Sequence, residues 1–248
     1  MQNVVRASSR AQRAPAGFTL IEVAIILVIV GLLIQGVVMG QEMIHNARVH
    51  DIISQQGSVE AALLAFQDRF RALPGDYAVA DSNIDCGTSA CLNGNGNGRI
   101  EAGTGGAIHE EILAWQHLNA AGFITGNYRM SSAVVTVAAP DNTPTSVYGG
   151  YVAVITDAVW GTSGNTVPRN NVKTGNLVPA EVLAEVDRKT DDGLPGSGRF
   201  QFSTYAAAGA TPPVGGSTPN GCTDADAATA NWIARGGYDN CGAATLLH

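Results

Sequence analysis

Lysine is nearly missing from this chain. Only Lys173 and Lys189 are lysines among 14 basic residues, set against 21 acids and a net charge of −7. No long basic stripe is therefore available to follow a phosphate backbone, which disfavours nonspecific nucleic-acid binding. No Gly-x-Ser-x-Gly elbow frames a serine as a nucleophile. No Cys-x-x-Cys spacing offers zinc or a redox motif. The run Gly94-x-Gly96-x-Gly98 has no strand before it and no lysine after it, so it does not read as a phosphate loop. Histidines 45, 50, 109, 117 and 248 have no Cys or Asp placed by sequence as a relay, and they read as solvated or packing residues. Nothing in this inventory argues for catalysis, and the expectation is a protein that is not an enzyme.

What the chain does have is unevenly distributed. Hydrophobic residues make up 45%, with a dense apolar block between Phe18 and Val38, while the remainder is rich in Gly, Ala, Ser, Thr, Asn and Asp, with 30 Gly overall. Residues 1–17 hold Arg6, Arg10 and Arg13 and no acid. A basic stretch before an apolar run keeps the N-terminus cytoplasmic by the positive-inside rule. From Phe18 to Gly40 is 23 residues, about 35 Å of helix against a hydrocarbon core of about 30 Å. A secretory signal has a shorter apolar core with its small-residue cleavage site after it. Here the small residue, Gly17, stands before the run.

Glu22 breaks the pattern. A carboxylate inside a membrane helix costs about 2.5–3.5 kcal/mol at the bilayer centre and less near an edge, so its partner must be sought. Two readings follow. Cleavage after Gly17 would make Phe18 an ammonium terminus, which could neutralise the Glu22 of a neighbouring copy. Alternatively, Glu22 simply favours the positive end of its own helix dipole.

The string Gly17-Phe18-Thr19-Leu20-Ile21-Glu22, after a basic leader and opening a long apolar helix, resembles the N-terminal motif of type IV pilins and type II secretion pseudopilins. The resemblance covers about forty residues directly. It implies a prepilin peptidase that cleaves between Gly17 and Phe18 and N-methylates Phe18, and a role for Glu22 in filament assembly. It also implies partners: other copies or related subunits met through the N-terminal helix, and an inner-membrane assembly platform with its ATPase. The place implied is the inner membrane with a periplasmic head, then a filament or the cell surface. Many type IVa pilins carry a helix-breaking proline just past the span; this chain has none there before Pro74, which leans toward a pseudopilin or minor pilin.

Beyond the span, Val49, Ile52, Gln56, Val59, Leu63, Phe66, Phe70 and Leu73 recur at steps of three and four, the mark of a helix with one buried face. The helix is expected to end before Pro74-Gly75. The expected organisation is a leader at 1–17, a transmembrane helix at 18–40, an amphipathic continuation at 41–73 and a loop-rich head at 74–248. The fold class is α+β, a long N-terminal helix on a small antiparallel sheet. Within the head, 75–107 reads as a loop-rich insertion, Ile108–Ala121 as a helix and Pro179–Arg188 as a short helix. Strands are expected at Ala133–Ala138, Tyr151–Ile155 and Phe200–Tyr205, with Ala243–Leu247 as a last edge strand. Softer likenesses to prepilin-type proteins lie in Leu73-Pro-Gly-Asp-Tyr77, Trp115-Gln-His-Leu118 and Asp187-Arg-Lys-Thr-Asp-Asp-Gly193.

The cysteines fall as Cys86/Cys91 and Cys222/Cys241. In a translocated domain they read as disulfides, with three connectivities open. Sequential pairing is favoured because each pair closes a Gly/Asn-rich loop. Two patterns bear on calcium. Asn93, Asn95, Asn97 and Glu101 have the alternating spacing of a calcium loop, but only Glu101 brings charge. Asp187, Asp191 and Asp192 form an acidic cluster. Both read first as turns, and no cofactor is expected. The sequence supports a filament subunit, with a signal-anchored periplasmic binding protein or a minor tip pilin or adhesin as the alternatives.

Overall fold

The computed structural model describes residues 17–87, 91–103, 108–130, 137–162, 167–218, 221–234 and 238–247. The expected strand at Ala133–Ala138 lies mostly outside these residues. The chain divides into two units, Met1–Ile44 and His45–His248. The first consists, in its described part, of three residues outside the helix and the first half of helix α1 (Leu20–Phe70).

In the second unit the remainder of α1 buries Val49, Ile52, Gln56, Val59, Ala62, Leu63 and Phe66. This is the stripe read from the sequence with Ala62 added, except that Phe70 and Leu73 at its end are only half-buried. The helix ends at Phe70 rather than Leu73. Arg71 adopts a positive φ of 56° and its N–H still bonds the Gln67 carbonyl, so a left-handed residue closes the helix before the proline can. Gly75, at φ 87°, lies against the backbone of Glu110. A side chain there would collide with the start of the next long helix.

After α1 come helices α2 (Ala80–Asn83) and α3 (Glu110–Ala120), strands β1 (Ala153–Asp157) and β2 (Arg169–Lys173), helix α4 (Ala180–Thr190), and strands β3 (Phe200–Phe202) and β4 (Ala243–Leu246). The four strands form one antiparallel sheet in the order β1-β2-β4-β3. The fold is α+β, a long N-terminal helix and a small antiparallel sheet. β4 is not an edge strand: Val172 pairs Thr245 on one side and Phe200 pairs Thr245 on the other. β2 has no counterpart in the sequence reading, because Arg-Asn-Asn-Val-Lys shows no apolar alternation. Two of its polar residues are nonetheless buried, Asn171 at 0% exposure and Lys173 at 1%. Both find Asp157 Oδ1 on the neighbouring strand, at 2.9 Å each.

Among the described residues the unit has three apolar clusters, two of them built on α1 and a smaller one around Ile112, Leu113 and Met130. Val49 and Ile52 pack with α4, Phe200, Phe202, Trp232 and the Cys222–Cys241 bridge. Val59, Leu63 and Phe66 pack with Ile100, Trp115, Leu118 and the sheet residues Val154 and Val172. Each fully buried side chain of this size contributes about 1.5–3 kcal/mol.

Candidate functional site

From Phe18 to Ile44 no side chain is buried, and the row of exposed large apolar residues includes Phe18 at 79% and Leu20 at 88%. α1 is long and apolar enough to cross a membrane, and its most apolar stretch has no share buried within the protein. So large an apolar surface marks a contact with something other than water. Leaving such side chains in water forfeits about 1.5–3 kcal/mol each.

Glu22 sits at the mouth of this surface. Its backbone N–H donates to Thr19 Oγ1 at 3.3 Å, and the Thr19 N–H donates to Glu22 Oε2 at 3.4 Å. The pair forms a capping box. Thr19 is the cap and Glu22 the third helical residue, and between them they satisfy two of the helix's otherwise orphaned donors. Gly17, Phe18 and Thr19 are exposed and lie outside the helix. The sequence reading placed Gly17, Phe18 and Glu22 together but overlooked Thr19. The signal was there, since Thr-x-x-Glu before an apolar run is a capping signature.

The Asn-rich loop has a different interior from a calcium site. Asp76, 4% exposed, accepts from the N–H groups of Asn97 through Oδ1 and Gly98 through Oδ2, both at 2.8 Å. Glu110 accepts from Asn95 N–H at 2.9 Å and Glu101 N–H at 3.1 Å. The asparagine oxygens turn to their own chain: Asn95 Oδ1 accepts from Asn97 N–H and Asn97 Oδ1 from Arg99 N–H, each at 2.9 Å. Asn97 Nδ2 donates to Glu101 Oε2 at 2.8 Å. The loop therefore aims backbone donors at two carboxylates of the protein, an anion nest filled from within. Asp76 and Glu110 organise it, and spacing alone did not single them out. Desolvation raises the Glu110 carboxyl, opposed by its bonds from Asn95 and Glu101.

Asp187, Asp191 and Asp192 do converge, with one carboxylate oxygen of each within 4.8 Å of the others. Each is already engaged. Asp187, fully buried, accepts from Trp232 Nε1 at 2.7 Å and Gly193 N–H at 3.1 Å. Asp191 accepts from the Arg199 and Phe200 N–H groups. Asp192 accepts from Leu194 N–H at 2.9 Å and Ser197 Oγ at 2.6 Å. Burial pushes the Asp187 carboxyl up to about 6, with its two acidic neighbours adding to the rise.

The disulfides join Cys86 to Cys91 and Cys222 to Cys241, the sequential pairing. Two further buried groups are Lys173, whose burial the sequence reading did not anticipate, and His117, which it had read as solvated or packing. Lys173 Nζ meets Asp157 Oδ1 at 2.9 Å, the Val159 carbonyl at 2.7 Å and Ser203 Oγ at 3.2 Å, and burial lowers its ammonium to about 8. His117 accepts from Gly75 N–H through Nδ1 at 2.9 Å and donates from Nε2 to the Leu92 carbonyl at 2.8 Å. Both act as internal fasteners. No protein-family model matches the chain, and no curated protein or solved structure shows significant similarity to it.

Proposed function

We propose that this chain is a structural subunit, a pilin or pseudopilin, of a type IV pilus or a type II secretion filament. It is made with a leader ending at Gly17, cut before Phe18 by prepilin peptidase, methylated there, and assembled through the N-terminal helix from the inner membrane. The observation that carries the reading is the predominantly apolar Phe18–Ile44 stretch, in which no residue is buried, opening on Gly17-Phe18-Thr19-Leu20-Ile21-Glu22. Such a surface exchanges lipid for neighbouring helices at little net cost, because both are apolar. The exposed, non-helical bond between Gly17 and Phe18 suits a peptidase. The two disulfides in the second unit suit an oxidising periplasm.

A second reading has its own support. The capping box already gives Glu22 a local partner, as a plain signal-anchored periplasmic protein would require. The two readings separate at one atom. Gln serves a capping box as well as Glu does but carries no charge. If charge pairing with a neighbour's terminal amine governs assembly, Glu22→Gln abolishes sheared filaments while membrane insertion persists. If Glu22 only caps, Glu22→Gln behaves as the parent. Mass spectrometry of the mature N-terminus completes the test. Methylated Phe18 with abundant sheared protein indicates a major subunit, and the same start with traces indicates a minor one. An intact leader in membranes overturns the filament reading.

A further inference from the structure

We propose that the Asn93–Gly98 turn is a latent deamidation site that the Asp76 carboxylate keeps closed. Three Asn-Gly pairs stand in succession there: Asn93-Gly94, Asn95-Gly96 and Asn97-Gly98. Asn-Gly is the dipeptide most prone to this chemistry, since glycine puts no side chain in the way of ring closure. In the reaction the backbone nitrogen of the glycine loses its proton to base and attacks Cγ of the preceding asparagine. The bond from Cγ to the side-chain nitrogen breaks, and that nitrogen leaves as ammonia with a proton returned to it. The resulting succinimide is opened by one water, yielding aspartate or isoaspartate.

Every nucleophile in the turn is occupied. The Gly98 nitrogen donates to Asp76 Oδ2 at 2.8 Å, the Gly96 nitrogen to the Asp76 carbonyl at 3.0 Å, and the Gly94 nitrogen to the Tyr77 carbonyl at 3.0 Å. The electrophiles are held as well. Asn93 Oδ1 accepts from Asp81 N–H at 2.9 Å, and Asn95 and Asn97 close turns onto the N–H groups two residues on. A carboxylate acceptor also disfavours loss of the amide proton, because it would then face a second negative charge. Gly94 packs against the backbone of Gly75 and Asp76, which fixes the turn on its clamp.

Asn97 is the position where the change matters most. Its Nδ2 donates to Glu101 Oε2, so conversion to aspartate removes that donor and sets two carboxylates against each other. Its backbone N–H also holds the clamp itself, at Asp76 Oδ1. One conversion would thus loosen the clamp over the remaining pairs, and deamidation of the turn would accelerate once begun.

The test incubates the full chain in detergent at mildly alkaline pH. Peptide mapping counts the +1 Da gain, and isoaspartyl methyltransferase labelling counts isoaspartate. A synthetic peptide spanning Leu92–Arg99 and the chain unfolded in guanidinium serve as references. Asn97, whose attacking Gly98 nitrogen donates to the Asp76 carboxylate, is expected to convert at least about tenfold more slowly in the folded chain than in either reference, the factor that opening one charge-assisted hydrogen bond supplies. Asp76→Asn is expected to bring the folded rate most of the way to that of the peptide. Equal rates in the folded and unfolded parent chain would overturn the proposal without any variant. So would an Asp76→Asn chain that keeps its disulfides and cooperative melting yet deamidates as slowly as the parent.

Discussion

A single buried ring illustrates how residue identity sets the chain's response to acid. His117 is wholly buried and stacks parallel to Phe66, 6.2 Å between ring centres. Its Nδ1 must stay unprotonated to accept the Gly75 N–H. Burial lowers its pKa from 6.5 to about 4, only partly offset by the bond to the Leu92 carbonyl. Between those limits the unfolded chain binds the proton and the folded one does not, so the stability this ring contributes is full above pH 6.5 and falls as pH drops toward 4. The loss over that window is at most about 3 kcal/mol. Asp187 works in the opposite sense. Its carboxyl rises from 3.8 to about 6, so folding favours its protonated form and its contribution falls as pH climbs through that range. The two largely offset each other between pH 4 and 6. His117→Gln, which keeps an acceptor and a donor but does not titrate, should unmask the Asp187 term. Thermal melts across this range should then show the variant gaining stability, relative to the parent, as pH falls.

At the scale of elements, glycines that look alike in sequence separate by what surrounds them. Gly57 lies inside α1 with open space where a Cβ would stand. Gly57→Ala should stabilise the folded state by about 0.5–1 kcal/mol by relieving the entropic penalty of glycine in a helix. Gly94 presses on the backbone of Gly75 and Asp76, which cannot yield as a flexible side chain would. Gly94→Ala should cost about 1–3 kcal/mol or more. Denaturant melts of the two variants should move in opposite directions. Asp76 and Glu110 explain why an apparent calcium spacing became a turn. Both lie outside the Asn93–Glu101 segment, and only folding brings their oxygens onto its backbone donors.

For the whole molecule, the longer disulfide matters more than the shorter. Cys222 and Cys241 are fully buried beside Val49, Ile52 and Trp232, and they close a span of 19 residues; Cys86 and Cys91 are 5 apart. Loop-closure entropy assigns about 3 kcal/mol to the long bridge and about 2 kcal/mol to the short one. Replacing Cys222 and Cys241 with Ala should lower the melting temperature further than replacing Cys86 and Cys91, by calorimetry of the solubilised chain. The Cys241 strand segment also bonds Val178 in both directions, at 2.9 and 3.1 Å. Losing the bridge therefore loosens the approach of β4 to its place between β2 and β3.

The amino-acid sequence by itself determined the elements whose signal is local: the apolar Phe18–Val38 run, the buried stripe of α1, and α3 and α4, while it favoured the sequential cysteine pairing that the structure then fixed. Each depends on periodicity, propensity or short chain separation, which the order of residues carries directly. Only the tertiary structure decided what polar residues would do. β2 is a strand because Asp157 receives Asn171 and Lys173 across the sheet. β4 is central because β3 returns to its far side. The Asn turn is a nest because Asp76 and Glu110 arrive from elsewhere in the chain. Burying a polar group is costly without a partner, and for these residues the partner is chosen by the fold, not by its neighbours in the chain.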